Sequence, residues 1–159
     1  AMLVSNKISF KISLIYIFAQ SAGASLAVLI IHSFMWEIDG LGVHKLSENI
    51  STLDGFLIES ILTAFLVIVI MFVVNNKNPL APFAISLYVL VIHFVAINLT
   101  GASINPARSF APALVHNEWT NHWIYWAAPI IGGISGAIIY TFLFGSKSDK
   151  KDFGKFNTK

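Results

Sequence analysis

The stretch NLTGASINPARSFAPALV, Asn98–Val115, breaks two long apolar runs with one arginine, two prolines and a string of small residues. Asn105 is a strong helix N-cap and Pro106 suits the first helical position. PARSFAPALV then reads as a short helix, about 105–115, of two to three turns. It is too short to cross a bilayer, which takes about 20 helical residues. Set between apolar runs, it reads as re-entrant. The LTGASI backbone before it is not helical, and irregular backbone at membrane depth is tolerated only in protein or beside a wet cavity. An arginine at that depth asks for the same cavity. Asn105 and Arg108 are three apart and share a helix face. The helix N-terminus adds partial positive charge there. Gly101, Ala102 and Ser103 are small enough to bring backbone carbonyls to the path. Donors on one wall and carbonyls on the other would suit a small neutral polar solute and repel cations. The alternative is that Arg108 only snorkels to headgroups from a surface helix.

The composition fits this setting. The 159 residues are 56% hydrophobic and 11% charged, where a soluble domain carries about a quarter charged residues. The chain reads as an all-α membrane protein. A net charge of +2 gives no support to nucleic-acid binding. The absence of cysteine excludes disulfides and thiolate metal sites. The five histidines form no tight ligand spacing with a carboxylate, and no cofactor is implied.

Four segments read as spans: about Ile12–Phe34, Phe56–Val74, Pro82–Leu99 and Trp123–Phe144, together making a transmembrane domain over residues 1–145. Lys7, Lys11, Lys77, Lys147, Lys150, Lys151, Lys155 and Lys159 all fall on one side of an alternating topology. Lys45 and the acids Glu37, Asp39, Glu48, Asp54 and Glu118 fall on the other. The positive-inside rule then places both ends of the chain in the cytoplasm. Residues 146–159 read as a solvated, disordered basic tail that reports topology, with a lipid-binding role the lesser alternative. Asn49 in NIS is a glycosylation acceptor only in a cell that glycosylates, and Asn98 in NLT lies at the membrane edge.

The order of motifs resembles the aquaporin, or major intrinsic protein, family over nearly the whole chain. SLIYIFAQSAGASLA looks like the family's third transmembrane helix, FLIESILTAFLV its fourth, VIHFVAINLTGASINPARSFAPALV its fifth plus the second asparagine-proline-alanine half-helix, and NHWIYWAAPIIGGISGA its sixth. The resemblance implies six spans and two half-helices from inverted repeats, a passive pore in each subunit of a homotetramer, and a narrow filter toward the outside. Here four spans and one half-helix are expected.

Residue by residue, the resemblance makes Asn105, Pro106 and Ala107 the motif and Arg108 the filter arginine. His93, fifteen positions earlier, matches the filter histidine of water-selective members, and Ala102 the position that offers a carbonyl. Ser109, Ala113, Tyr125 and Trp126 match water channels, where glycerol facilitators carry aspartate, arginine and proline-leucine. Glu59 is implied to be a buried acceptor holding the first re-entrant loop, with Gln20 bonding the same region. The implied function is a water channel, with Asn105 orienting each water so that the water accepts, and with arginine and half-helix dipoles opposing protons and cations.

Blander readings stand beside these. A histidine on an apolar helix is commonly packed and bonded to a carbonyl, which is the alternative for His93. His32, His44, His116 and His122 read as interfacial. Glu59 could be a proton-relay acid. Gly132, Gly133 and Gly136 read as close-packing positions. Trp119, Trp123 and Trp126 lie near an interface.

AMLV, residues 1–4, looks like the end of the family's first half-helix, so the first two helices, the first motif and the second-helix filter residue are expected to be missing. Glu59, Gln20 and the LTGASI carbonyls would then lose partners or face lipid, at several kcal/mol each, and the chain alone would not conduct. A channel for glycerol or urea and a non-conducting membrane scaffold remain the competing functions. An enzyme needs a nucleophile–base or metal constellation, and His93, Glu59 and Arg108 lie on separate elements.

Overall fold

The computed structural model describes residues 1–38 and 40–155. Asp39 and Lys159, counted above among the loop and tail charges, lie outside the described residues. Among the described residues six helices follow one another: α1 (Phe10–Phe34), α2 (Thr52–Asn75), α3 (Ala81–Thr100), α4 (Pro106–His116), α5 (Ile124–Phe144) and α6 (Lys147–Asp152). α1, α2, α3 and α5 are long and apolar enough to cross a membrane, and α4 is the short helix. The chain is an integral, multi-pass, all-α membrane protein.

Local chemistry sets most helix ends. Ser9 and Ser51 cap α1 and α2, their hydroxyls accepting from Ile12 and Asp54. The second span therefore starts at Thr52, a turn before the apolar run begins. α3 stops at Gly101, whose φ of 83° a side chain would resist. Ahead of α1, residues 1–7 form a helix-ending turn. Asn6 stands at φ 53°, its amide donates to Leu3 and that of Lys7 to Met2.

α2 and α5 form the tightest pair. A Cβ on Gly132 would collide with the Ser60 carbonyl, and one on Gly136 with that of Ala64. Two small faces, four residues apart on each helix, thus bring the backbones together. Gly133 is different, since its Cβ would meet only Val67 at 3.8 Å. Tyr88 of α3 donates to the Leu62 carbonyl of α2 at 2.9 Å, and Asn75 of α2 to the Tyr140 hydroxyl of α5 at 3.1 Å. α1 packs against α4 and buries none of its residues. Its outward side chains, such as Phe18 and Phe34, suit lipid or another apolar helix.

The tail departs from the expectation of disorder. Ser146 and Asp149 make a reciprocal capping box at the start of α6. Asp149 pairs with Lys7 at 2.7 Å, and the Gly154 amide donates to the Val4 carbonyl at 2.8 Å. Phe153 packs with Ala1 and Val4 against Met71, Ala137 and Tyr140. The tail helix is fixed across the N-terminal turn because its own side chains cap it and its last residues satisfy an orphan carbonyl.

Candidate functional site

The site is built on residues 100–108, between α3 and α4. Ala102 and Ile104 both adopt positive φ, 52° and 49°. For a β-branched isoleucine that is a true outlier, and strain of this kind persists only where the surroundings impose it. Glu59 of α2 imposes it. Its side chain is completely buried. Oε1 accepts from the Thr100 hydroxyl at 2.6 Å and the Ser103 amide at 3.0 Å, and Oε2 from the Ile104 amide at 2.6 Å. This corrects two expectations. The loop that Glu59 holds is the one leading into Asn105, not the first re-entrant loop. Nor does Glu59 lose its partners, because the described residues supply three donors.

The loop carbonyls are also partnered. Thr100 accepts from the buried Tyr125 hydroxyl at 2.9 Å. The Arg108 guanidinium donates to the Ala102 carbonyl and, at 3.4 Å, to that of Ser103. Arg108 is therefore an internal clasp of this loop. Ala102 itself is fully buried, so its carbonyl is spent on Arg108 and is not the open pore carbonyl expected from the sequence.

Asn105 caps α4 as its sequence position suggests. Its Oδ1 accepts from the amides of Ala107 and Arg108, at 3.0 and 3.4 Å. The carboxamide oxygen is committed inward, which leaves the NH2 group as the outward-facing donor. Asn105 and Arg108 are both exposed, while Ala107 and Ser109 are buried. Pro106 stands at the start of the helix.

The four residues expected to mark a subgroup form the layer behind the loop. Ser109 is buried with its hydroxyl on that of Ser103. Ala113 is buried on the same helix. Tyr125 braces Thr100 as described. Trp126 donates to His122 Nε2 at 3.1 Å and meets Phe110 edge to face. None of the four needs to touch a solute to shape the loop.

His93 is half-buried on α3, and its Nδ1 lies 2.7 Å from the Val89 carbonyl. A carbonyl only accepts, so Nδ1 donates this bond and Nε2 is not used by it. The bond to a carbonyl matches the blander reading of this histidine and leaves the other nitrogen available. Gln20 is exposed on α1 and is not brought into this cluster.

His44 was expected at the interface and is instead buried. Its ring fills the space beside Gly101, where a Cβ would stand 2.8 Å from Cδ2, and lies tilted on Tyr125 with centroids 5.6 Å apart. Nδ1 is buried without a hydrogen-bond partner among the described residues. Burial, and then the charge of Arg108 with smaller effects of His93 and His122, holds its pKa down at about 4. His44, Lys45, Ile97, Gly101 and Arg108 line a cavity of about 440 Å³. The loop carrying His44 is pinned here by the Ser47 amide on the Leu99 carbonyl at 2.9 Å and by a Lys45–Glu118 ion pair of 2.8 Å. Hydrogen bonds from Lys45 and Thr120 hold Glu118 at about 2. No local pattern marks His44, and only the glycine at 101 hinted that something packs closely there.

Comparison with known proteins gives the family. The family model described as "Major intrinsic protein" matches residues 1–140. Aquaporin-4 of Rattus norvegicus is 39% identical over 150 residues, which is 91% of this chain and 46% of that protein. Aquaporin-4 of Homo sapiens matches to the same extent. Aquaporin-1 of Homo sapiens is 37% identical over 153 residues, 92% of this chain and 57% of that protein. The chain thus spans about half the length of the curated relatives it matches. With four spanning helices, a capped half-helix at Asn105 and this match over most of its length, the chain belongs to the major intrinsic protein family.

Proposed function

We propose that this chain forms one wall of a passive water path, with Asn105, Arg108 and His93 facing the permeating molecule. The observation that carries the reading is the division of labour at Asn105. Its oxygen is tied to the amides of Ala107 and Arg108, so its NH2 group donates to a passing water. That water accepts, and its hydrogens point away from the half-helix. A proton wire needs water hydrogens aligned along the file, so this orientation interrupts it. The α4 N-terminus adds positive potential at the same point, and Arg108 adds a full charge that opposes cations.

His93 Nε2 can accept from a water passing Arg108, narrowing and polarising the entrance. Ser109, Ala113, Tyr125 and Trp126 support water over glycerol through the shape they give the loop. An aspartate in place of Ser109 would put a charge beneath Ser103. Both ends of the chain then face the cytoplasm, in keeping with the lysine distribution, and the apolar outer faces of the helices contact lipid and neighbouring subunits of a homotetramer.

Asn105 and Arg108 are exposed on an open face. The described residues therefore do not enclose a path, and the 159-residue chain by itself does not conduct. The experiment is stopped-flow shrinkage of proteoliposomes, run on protein purified from its source membrane and on the 159-residue chain alone. Fast water flux with slow glycerol uptake is expected from the first, and background flux from the second. Glycerol or urea passing as fast as water would favour the solute-channel reading. No flux from the source-derived protein would favour a scaffold.

A further inference from the structure

Away from this site, the last turns of α1 and α4 bring His32 and His116 together, edge to face, with ring centroids 5.1 Å apart. Both rings line a cavity of about 280 Å³, walled by Val28, Ile31, Met35 and Leu41. We infer that this cavity is a metal-ion site for a single soft monovalent cation of the Cu(I) type, held by the His32 and His116 imidazoles with the Met35 thioether as third donor.

Several observations converge on it. Two imidazoles bound to one ion through N–metal bonds of about 2.0 Å place their centroids roughly 5–6 Å apart, which is the separation already present. The donor set is two imidazoles and a thioether, and thioether sulfur selects copper in its lower oxidation state. His32 Nδ1 is buried with no hydrogen-bond partner among the described residues, so a lone pair can be turned to the ion without breaking a bond. Both histidines stand in the last turn of their helices, where the partial negative charge of the carbonyl ends favours a cation. The apolar wall suits an ion of low charge, since a single charge carries a smaller desolvation penalty than a double one. Met35 is the C-cap residue of α1, one turn beyond His32 and on a flexible side chain able to close over the ion. Bound there, the ion would tie the far end of the half-helix to α1, the helix that buries no residue of its own.

The test is an anaerobic titration of the purified chain in detergent with Cu(I), in competition with a chromogenic chelator. The chain has no cysteine, so thiols contribute no background. One equivalent of Cu(I) should leave the chelator. H32Q and H116Q should each weaken uptake at least tenfold, and M35L by a few-fold. Absence of saturable uptake, or uptake unchanged in H32Q and H116Q, would overturn the site. Should either variant misfold, histidine and methionine-methyl resonances of the unmodified chain decide it. Selective shifts of His32, His116 and Met35 support the site, and shifts confined to other histidines or to Met2 and Met71 refute it. Zn(II) binding there more tightly than Cu(I) would refute the assignment to a soft cation.

Discussion

Glu59 Oε2 accepts the backbone amide of Ile104 at 2.6 Å across 45 residues of sequence, and Ile104 is a β-branched residue held at φ 49°. The carboxylate and the strain belong together. A buried, non-helical loop needs its amides satisfied within the protein, and Glu59 satisfies two of them along with the Thr100 hydroxyl.

Replacing Glu59 removes that hold. E59L leaves three buried donors unpaired and should cost roughly 3–9 kcal/mol, since each unsatisfied group costs about 1–3 kcal/mol. E59Q keeps one acceptor but turns an NH2 group toward an N–H, so an intermediate loss is expected. Unfolding in detergent, followed by circular dichroism against temperature or SDS fraction, measures both. An E59L variant as stable as the parent would show that the loop holds itself.

Gly136 and Gly133 should behave in opposite ways. A Cβ at Gly136 meets the Ala64 backbone carbonyl, which cannot move aside. G136A should therefore push α2 and α5 apart at a cost of about 1–3 kcal/mol. G133A should be neutral or stabilising, because its Cβ finds ordinary contact with Val67 at 3.8 Å and alanine favours the helix by about 1 kcal/mol. Melting temperatures of the two variants decide the matter, and equal losses would refute the close approach at Gly136.

His44 makes the loop sensitive to acid. Its folded pKa is about 4 against an ordinary 6.5, so between these values the unfolded chain binds a proton that the folded chain refuses. Stability should be full above pH 6.5 and fall as the pH drops toward 4, levelling off below. H44N should flatten this segment of the profile. Hydrogen exchange at residues 100–104, followed from pH 7 to 4, reads it directly, and an unchanged profile in H44N would assign the acid response to another group.

Arg108 should govern what passes the completed path. R108A loses the bonds to Ala102 and Ser103 and the charge together. Glycerol and urea uptake should rise on the order of tenfold, the factor that about 1.4 kcal/mol of lost barrier gives. R108K keeps the charge yet lacks the planar fork that reaches both carbonyls, so its solute exclusion should fall between the two. Uptake in R108A equal to the parent's would remove Arg108 from the filter.

The parts legible without a structure were those decided by neighbours in sequence. Each span is a run of apolar residues long enough to cross hydrocarbon, and that is a property of the run alone. Asn105 followed by Pro106 announces a helix start because a cap bonds amides two and three residues on. Ser146 and Asp149 carried a similar local signal, a capping box in the tail, which the basic charge around it obscured. Tertiary structure decided the rest, because the deciding bonds join residues far apart. Which loop Glu59 holds and that α6 lies on the N-terminal turn depend on partners 41 positions away for Thr100 with Glu59 and 142 away for Lys7 with Asp149, and the burial of His44 depends on its packing beside Gly101 and Tyr125. In a membrane interior every such group must find a partner within the protein. Sequence alone says that a partner is needed, and only the packing of the helices determines which residue it is.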